Sequence, residues 1–337
     1  MKILVTGCAG FIGYHVVKKL LDANNEIVGV DSINNYYDQN LKKERLRILR
    51  RKALNKKKIF LFKKVDLSNK NKTENIFKKY RPQIVIHLAA QAGVRYSLKE
   101  PTVYERNNIS AFTNIIENCR ILAVKQLIYA SSSSVYGANK KSPFKEKDRT
   151  DTPLQYYAAT KKSNEIMAYT YSSLYKVPTV GIRFFTVYGP LGRPDMALYK
   201  FTKNILSRKL IHVHNNGNHA RDFTYIDDAV DALINLINCF EKKDIKPKIK
   251  KIIDNKVPHF IINIGNSRPV KLKNFIKTLE NEIGIKPKIK YLPHQKGEVL
   301  NTYADIKRAK FLIGFKNKTS LQKGIKNFVV WFRDYHK

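Results

Sequence analysis

Short apolar runs alternate with longer stretches of helical period along the first half of the chain. "KILVTG" (2–7) precedes a helical pattern over Phe11–Ala23. "EIVGVD" (26–31) precedes the charged amphipathic stretch "LKKERLRILRRKAL" (41–54). "IFLFKKVD" (59–66), "TENIFKKY" (73–80) and "QIVIHLAA" (83–90) continue the alternation. A helix through Ala111–Ala123, "QLIYASS" (126–132), a helix through Tyr157–Leu174 and "VPTVGIRFF" (177–185) complete it. The strand candidates are almost continuously apolar. A strand with one wet face alternates; one covered on both faces does not. The pattern predicts an α/β fold, a Rossmann-type doubly wound parallel sheet with helices on both sides.

Beyond residue 190 the rhythm loosens. "GPLGRPD" (189–195) reads as a loop. Strand candidates "LIHVH" (210–214), "FIINIG" (260–265) and "KIKYL" (288–292) mix with helices over 227–240, 271–283, 305–313 and 319–335. We expect one domain over 1–190 and a smaller C-terminal α/β lobe over 191–337, with some exchange of chain between them. The lobe would close over the carboxyl ends of the strands, where open parallel sheets bind ligands. "EKKDIKPKIKKIIDNK" (241–256) reads as a basic surface insertion forming a solvated loop.

The 43% apolar content is that of a soluble globular protein. No run approaches the roughly 18–20 apolar residues of a membrane helix. "MKILVTGCAGFIG" lacks the basic region and long apolar stretch of a signal peptide, so no membrane partner is expected. Cys8, Cys119 and Cys239 are too scattered for a metal site or a disulfide framework, and a reducing cytoplasm is the default expectation. Lys and Arg number 64 against 27 Asp and Glu, a net charge of +37. That excess is spread along a Lys-, Asn- and Ile-rich chain rather than gathered in one arm. That spread reads first as coding bias, as AT-rich genomes favour, with some contribution from attraction of small polyanions, and predicts no specific nucleic-acid partner.

Candidate chemistry falls at the strand ends. "TGCAGFIG" sets Gly7, Gly10 and Gly13, with Phe11 and Ile12, between the first strand and a helix. Glycines let backbone approach a pyrophosphate, and the helix start offers unpaired N–H groups. Asp31 ends the second strand, 18 residues past Gly13. A carboxylate there binds adenosine ribose hydroxyls and repels a 2′-phosphate, which selects NAD over NADP. "VDL" places Asp66 and Leu67 beside the adenine. "HLAAQA" places Leu88, Ala89, Ala90 and Gln91 under the cofactor.

"SSSSVYG" (131–137) ends a buried strand in four hydroxyls, and "YYAATK" carries Tyr157 and Lys161 one helical turn apart. A phenol with a pKa near 10 is a weak base. A nearby ammonium and a bound nicotinamide cation would lower that value, and a serine hydroxyl would share the proton. This set suits hydride transfer at a secondary alcohol.

"TGCAGFIG", "HLAAQAGVRYS", "SSSSVYG", "YAATK" and "RDFTYIDDAVDA" together resemble the extended short-chain dehydrogenase/reductase family, in its nucleotide-sugar branch of NAD-dependent epimerases and dehydratases. "DSINNYYDQNLKKERL", "GVRYSLKEP", "RFFTVYGPLGRPDMA", "NIGNSRPVKL" and "KGEVLNTYAD" extend the resemblance over 1–335 and are most similar to the branch members that epimerise UDP-glucuronate. The resemblance implies Ser132 as catalytic hydroxyl, Tyr157 as base and Lys161 as its partner. It implies Asn107 and Phe185 at the cofactor, with Asn107 helping to hold the active-site helix. Arg95, Ser133, Ser134 and Thr186 would line the substrate site, Arg193 would meet the sugar carboxylate, and Arg221 and Glu298 would lie near the UDP phosphate and ribose. Gln295 and Lys296 depart from a family pattern that often has an arginine there.

Ser133 and Ser134 stand where the family's dehydratases carry Asp and Glu, and where its decarboxylases carry a Glu at the second position. The implied reaction is therefore plain C4 epimerisation of UDP-glucuronate to UDP-galacturonate through a 4-keto sugar with bound NAD, serving polysaccharide biosynthesis. Epimerisation of UDP-glucose or UDP-N-acetylglucosamine, decarboxylation of UDP-glucuronate, and cofactor binding without catalysis are the alternatives. A homodimer through helices 101–123 and 155–174 is also implied.

Overall fold

Seven of the apolar runs line up side by side in one parallel sheet. A computed structural model describes all residues except Asp254, Asn255, Gln295, Lys296 and Glu298. In chain order the strands are β1 (Lys2–Thr6), β2 (Glu26–Asp31), β3 (Phe60–Lys64), β4 (Ile84–His87), β5 (Gln126–Ser132), β6 (Thr179–Phe184), β7 (Thr186–Tyr188), β8 (Ile211–His214), β9 (Ala220–Tyr225), β10 (His259–Ile264), β11 (Pro269–Lys271) and β12 (Ile289–Leu292). The large sheet runs β10-β6-β5-β4-β1-β2-β3. Val5 of β1 sits between Gly29 of β2 and Ile86 of β4. Ile3, Val5, Ile84 and Ile86 bury one face, while Leu4, Val28 and Val85 bury the other. Two dry faces explain why these runs do not alternate.

Strand order reverses at the β1–β4 boundary, the position where doubly wound sheets open a crevice. Gly7 leaves β1 there with φ +68°, and a Cβ on it would stand 2.7 Å from the Ala89 amide nitrogen. Only glycine meets both conditions.

Two segments differ from expectation. "FIINIG" does not stay in the C-terminal lobe. It forms β10, pairs with β6 through Ile264 and Phe184, and is the seventh strand of the main sheet. The main sheet is thus not confined to residues 1–190. The basic stretch 241–256 is not simply a solvated loop. It contains a short helix, Lys246–Lys250, with Pro247 in its first turn, where a missing N–H costs little. Ile245 and Ile249 anchor it in the core. Asp254 and Asn255 of this stretch lie outside the described residues.

The remaining strands form two small sheets, β11-β9-β7 and β12-β8. In "RDFTYIDD" the acids hold backbone. Asp222 accepts from the N–H groups of Asn266 (2.5 Å), Ser267 (3.0 Å) and Ala304 (2.9 Å). Asp228 accepts from Lys318 and Thr319, both at 3.2 Å.

Candidate active site

A cavity of about 390 Å³ lies over the carboxyl ends of the central strands. Its cofactor side begins at the glycine turn. The Gly10 N–H donates to the Gly7 carbonyl at 2.9 Å, and a Cβ on Gly13 would overlap that same oxygen. The helix Phe11–Leu20 therefore starts pressed against the turn. Gly7, Gly10, Phe11, Ile12 and Gly13 all face the cavity. Asp31 is clamped: Oδ2 accepts from the Ala9 N–H at 3.1 Å and Oδ1 from the Ile33 N–H at 2.9 Å. Asp66 accepts from Ser68 (3.0 and 2.7 Å) and pairs with Arg106 at 2.5 Å. Burial pushes its carboxyl upward, but Ser68 and Arg106 outweigh that and hold it below the usual range. Leu67, Leu88, Ala89 and Ala90 also face the cavity, while Gln91 lines a neighbouring polar recess. A backbone-permissive turn, a fixed carboxylate and small residues beneath fit a dinucleotide.

The four serines divide their work because strand residues alternate faces. Ser131 also reaches the cavity wall, but its hydroxyl is spent on Glu165, donating to Oε1 at 2.5 Å. Glu165 also takes two bonds from Arg183, each 2.8 Å, and both residues are buried. Burial raises the Glu165 pKa, yet Arg183 and Ser131 hold it low. Arg183 lies 4.8 Å from the Tyr136 ring centre, and the Tyr136 hydroxyl donates to Asn263 at 2.7 Å. This pair staples the strand end from below. Ser132 faces the cavity, where its Oγ accepts from the Ser134 N–H at 3.1 Å. Ser133 and Ser134 line the cavity in the turn that follows.

Helix Tyr156–Tyr175 presents a polar buried face of Thr160, Lys161, Asn164, Glu165 and Ser172. Tyr157 and Ser132 line the same cavity. Burial raises the phenol above its ordinary value, and the Ser132 hydroxyl and the Arg193 charge draw it back only partly. The chain's own groups do not by themselves produce the lowered phenol expected with the ammonium and a bound nicotinamide cation together. Lys161 donates instead to the Ala130 carbonyl at 2.9 Å, and burial lowers its pKa to about 8. His87 is no rival base. Its Nδ1 lies 2.9 Å from Thr6 Oγ1, and burial, with the Lys161 charge, lowers it to about 3.

The asparagine pair splits. Asn107 lines the cavity, and its amide donates to the Val103 carbonyl at 2.8 Å. The tie to the active-site helix is made by Asn108. Its Oδ1 accepts from the Gln91 N–H (2.8 Å), its Nδ2 reaches Thr160 (3.0 Å), and its carbonyl accepts from Asn164 (2.8 Å). The holding role expected of Asn107 thus sits one residue on. The cause is a π-helical turn over Glu105–Ser110, which rotates the faces relative to α-helical spacing.

Phe185, Thr186 and Arg193 line the cavity. Arg95 is exposed at the start of a turn over Tyr96–Leu98 and is not among the cavity-lining residues. Arg221 also lies off the cavity wall, donating to the Ala220 (3.1 Å) and Leu300 (2.8 Å) carbonyls. Glu298, with Gln295 and Lys296, falls outside the described residues. Sequence reasoning missed Tyr36, Lys42 and Met196 in the wall and Asp195 behind Arg193. Lys42 had a readable signal. With Arg45 it interrupts the buried stripe Leu41, Leu46, Leu49, Ala53 of helix Gln39–Asn55.

A parallel sheet with a glycine turn, a fixed carboxylate at the end of β2 and a Ser–Tyr–Lys set on one cavity fits a dinucleotide-dependent enzyme acting on an alcohol. The chain belongs to the NAD dependent epimerase/dehydratase family, whose pattern matches residues 3–265. It is 48% identical to "Protein CapI" of Staphylococcus aureus, over all of both chains. It is 41% identical to UDP-glucuronate 4-epimerase 4 of Arabidopsis thaliana over 99% of this chain and 76% of that one. Among solved structures it is similar to the UDP-glucuronic acid 4-epimerase of Bacillus cereus in complex with UDP-glucuronic acid and NAD. The TM-score is 0.88 and the identity 32%, covering 99% of this chain and 100% of that chain.

Proposed function

We propose that the protein interconverts UDP-glucuronate and UDP-galacturonate by C4 epimerisation, with Ser132, Tyr157 and Lys161 as the catalytic set. The supporting observation is local. Ser132, Tyr157 and Lys161 line one cavity together with Arg193, the cationic wall residue suited to a uronate carboxylate. NAD, when bound on the glycine turn beside Asp31, supplies reversible hydride acceptance at carbon 4. Tyr157 takes and returns the proton of the C4 hydroxyl, and Ser132 shares it. Lys161, braced on Ala130, sets a positive charge beneath the phenol. Ser133, Ser134 and Thr186 position the sugar. Phe185 and Asn107 flank the nicotinamide side. Arg221 and Glu298 are assigned to the UDP end, and Arg95 to the substrate site without a narrower role.

A 4-keto sugar with a C5 carboxylate is a β-keto acid that readily loses carbon dioxide. In this reading Arg193 holds the carboxylate out of line with the carbonyl. No Asp or Glu occupies Ser133 or Ser134 to serve dehydration or decarboxylation. The test is incubation with UDP-glucuronate and separation of the sugar nucleotides. UDP-galacturonate is the expected product, whereas a UDP-pentose or no conversion would overturn the assignment.

A homodimer is part of the proposal. Ile121, Ile166, Tyr169, Leu174 and Tyr175 leave apolar surface exposed on helices Ala111–Ile121 and Tyr156–Tyr175. Light scattering should give twice the chain mass. No helix among the described residues is long and apolar enough to cross a membrane. All three cysteines are buried free thiols, which suits the cytoplasm.

A further inference from the structure

Arg45 is a cation with no exposed surface, and its side chain is the largest of those fully buried. Among the described residues no carboxylate meets it. Nη1 donates to the Ala9 carbonyl at 2.8 Å and to the Tyr37 hydroxyl at 2.7 Å. Nη2 donates to the Leu191 carbonyl at 2.6 Å and, more weakly, to Gly192 at 3.4 Å. Nε is buried without a partner among the described residues. A buried charge is costly unless it is compensated, and carbonyl dipoles compensate only in part.

The acceptors belong to two different sites. Ala9 is inside the glycine turn, while Leu191 and Gly192 lead directly into Arg193. His15, on the helix that follows the turn, lies 3.0 Å from the Pro190 carbonyl through its Nε2. Three successive carbonyls ahead of Arg193 are thus held by side chains from the cofactor side. The held segment adopts backbone that would not persist alone: Gly189 has φ +147°, and Leu191, with a side chain, has φ +57°.

We infer that Arg45 is a positioning residue that couples the cofactor site to the substrate-carboxylate site. It fixes the Arg193 loop against the glycine turn and supplies a buried positive charge beneath the place where a dinucleotide pyrophosphate lies. An anion on the turn relieves the uncompensated charge and strengthens the frame holding Arg193. By linkage, a uronate gripped by Arg193 must tighten cofactor binding by the same factor. A lysine at this position keeps the charge but cannot span two carbonyls with one planar fork. The inference rests on the proposed uronate contact of Arg193.

Calorimetric titration of the protein with NAD, with and without saturating UDP-glucuronate, tests it. Wild type should bind NAD about tenfold more tightly with the sugar nucleotide present. Arg45→Lys should hold NAD within about threefold of wild type, lose that coupling, and show an increased KM for UDP-glucuronate with a smaller change in kcat. Arg45→Met should also weaken NAD binding itself, because the charge is gone. Absence of coupling in the wild type overturns the inference even if neither variant folds. So does an Arg45→Lys protein with normal KM and coupling, or one whose losses track only its folded fraction. If wild type binds UDP-glucuronate without converting it, the proposed reaction falls while the coupling measurement still decides the role of Arg45.

Discussion

Asp195 grips Arg193 along one edge, with Nε to Oδ1 at 2.9 Å and Nη2 to Oδ2 at 2.6 Å. Tyr36 donates to the same Oδ2 at 3.2 Å. Two parallel bonds fix the plane of the guanidinium. They use the Nε–Nη2 edge, and the proposed function has the same guanidinium meet the uronate carboxylate. Arg193→Lys keeps charge and loses the fork. KM for UDP-glucuronate should rise by an amount equivalent to about 1.5–3 kcal/mol, with little change for UDP-glucose. A trace of decarboxylated 4-keto pentose should accompany it. Kinetics on both substrates check this; equal losses would assign Arg193 to the phosphates.

Removing only the phenolic oxygen isolates the proton step. Tyr157→Phe should abolish turnover yet leave UDP-sugar affinity within a few-fold, measured by calorimetry. Turnover near wild type would take Tyr157 out of the reaction.

Lys161 carries a stability cost that pH can reveal. Its folded pKa, about 8, lies below its ordinary value of 10.5. The unfolded chain therefore binds more protons between those values, and stability rises with pH across that window. The cost of Lys161 is full below pH 8 and fades above it. Lys161→Met should be inactive but stabilised at neutral pH, and its advantage should shrink by roughly 2 kcal/mol between pH 7 and pH 10. Urea melts at the two pH values measure this, and an advantage independent of pH would contradict it.

Asp31 should exclude NADP. Its two oxygens are held by Ala9 and Ile33 and cannot swing away from a 2′-phosphate. Asp31→Ser should narrow the preference for NAD, read by titrating each cofactor. A wild-type protein that carries NADP would refute the assignment.

Glu165 and Arg183 are buried partners. Glu165→Ala should cost roughly 3–5 kcal/mol in a urea melt, because it strands the guanidinium. Replacing both residues with apolar side chains should cost less than the single change.

Some of this architecture could be read in one dimension and some could not. β1, β2 and β4 announced themselves because two dry faces demand unbroken apolar runs. Gly7 was legible because a tight turn against Ala89 admits no side chain. Tyr157 and Lys161 were legible because one helical turn separates them. β10 was misplaced because a short apolar run does not say which sheet it will join. Asn107 was named by resemblance, and two adjacent asparagines in a segment that folds as a π turn do not show in sequence which of them reaches Gln91 and Thr160. Lys42 and Arg45 could be noticed as breaks in an apolar stripe, but a basic residue in a charged helix reads as solvated, and the carbonyls of Leu191 and Gly192 that Arg45 meets lie about 146 residues away.

The late arrival of β10 has a consequence for how the protein is made. During synthesis β6 is complete at Phe184, but its outer neighbour begins only at His259, 75 residues later. At about 5–20 residues per second, that delay lasts about 4–15 s. Throughout it, the nascent sheet offers an unpaired edge on a ribosome-bound chain, the kind of surface that recruits another strand. The exposed edge makes this interval the point at which misassembly between neighbouring nascent chains would begin. It also means that a fragment ending near residue 190 would lack the strand that closes its own sheet.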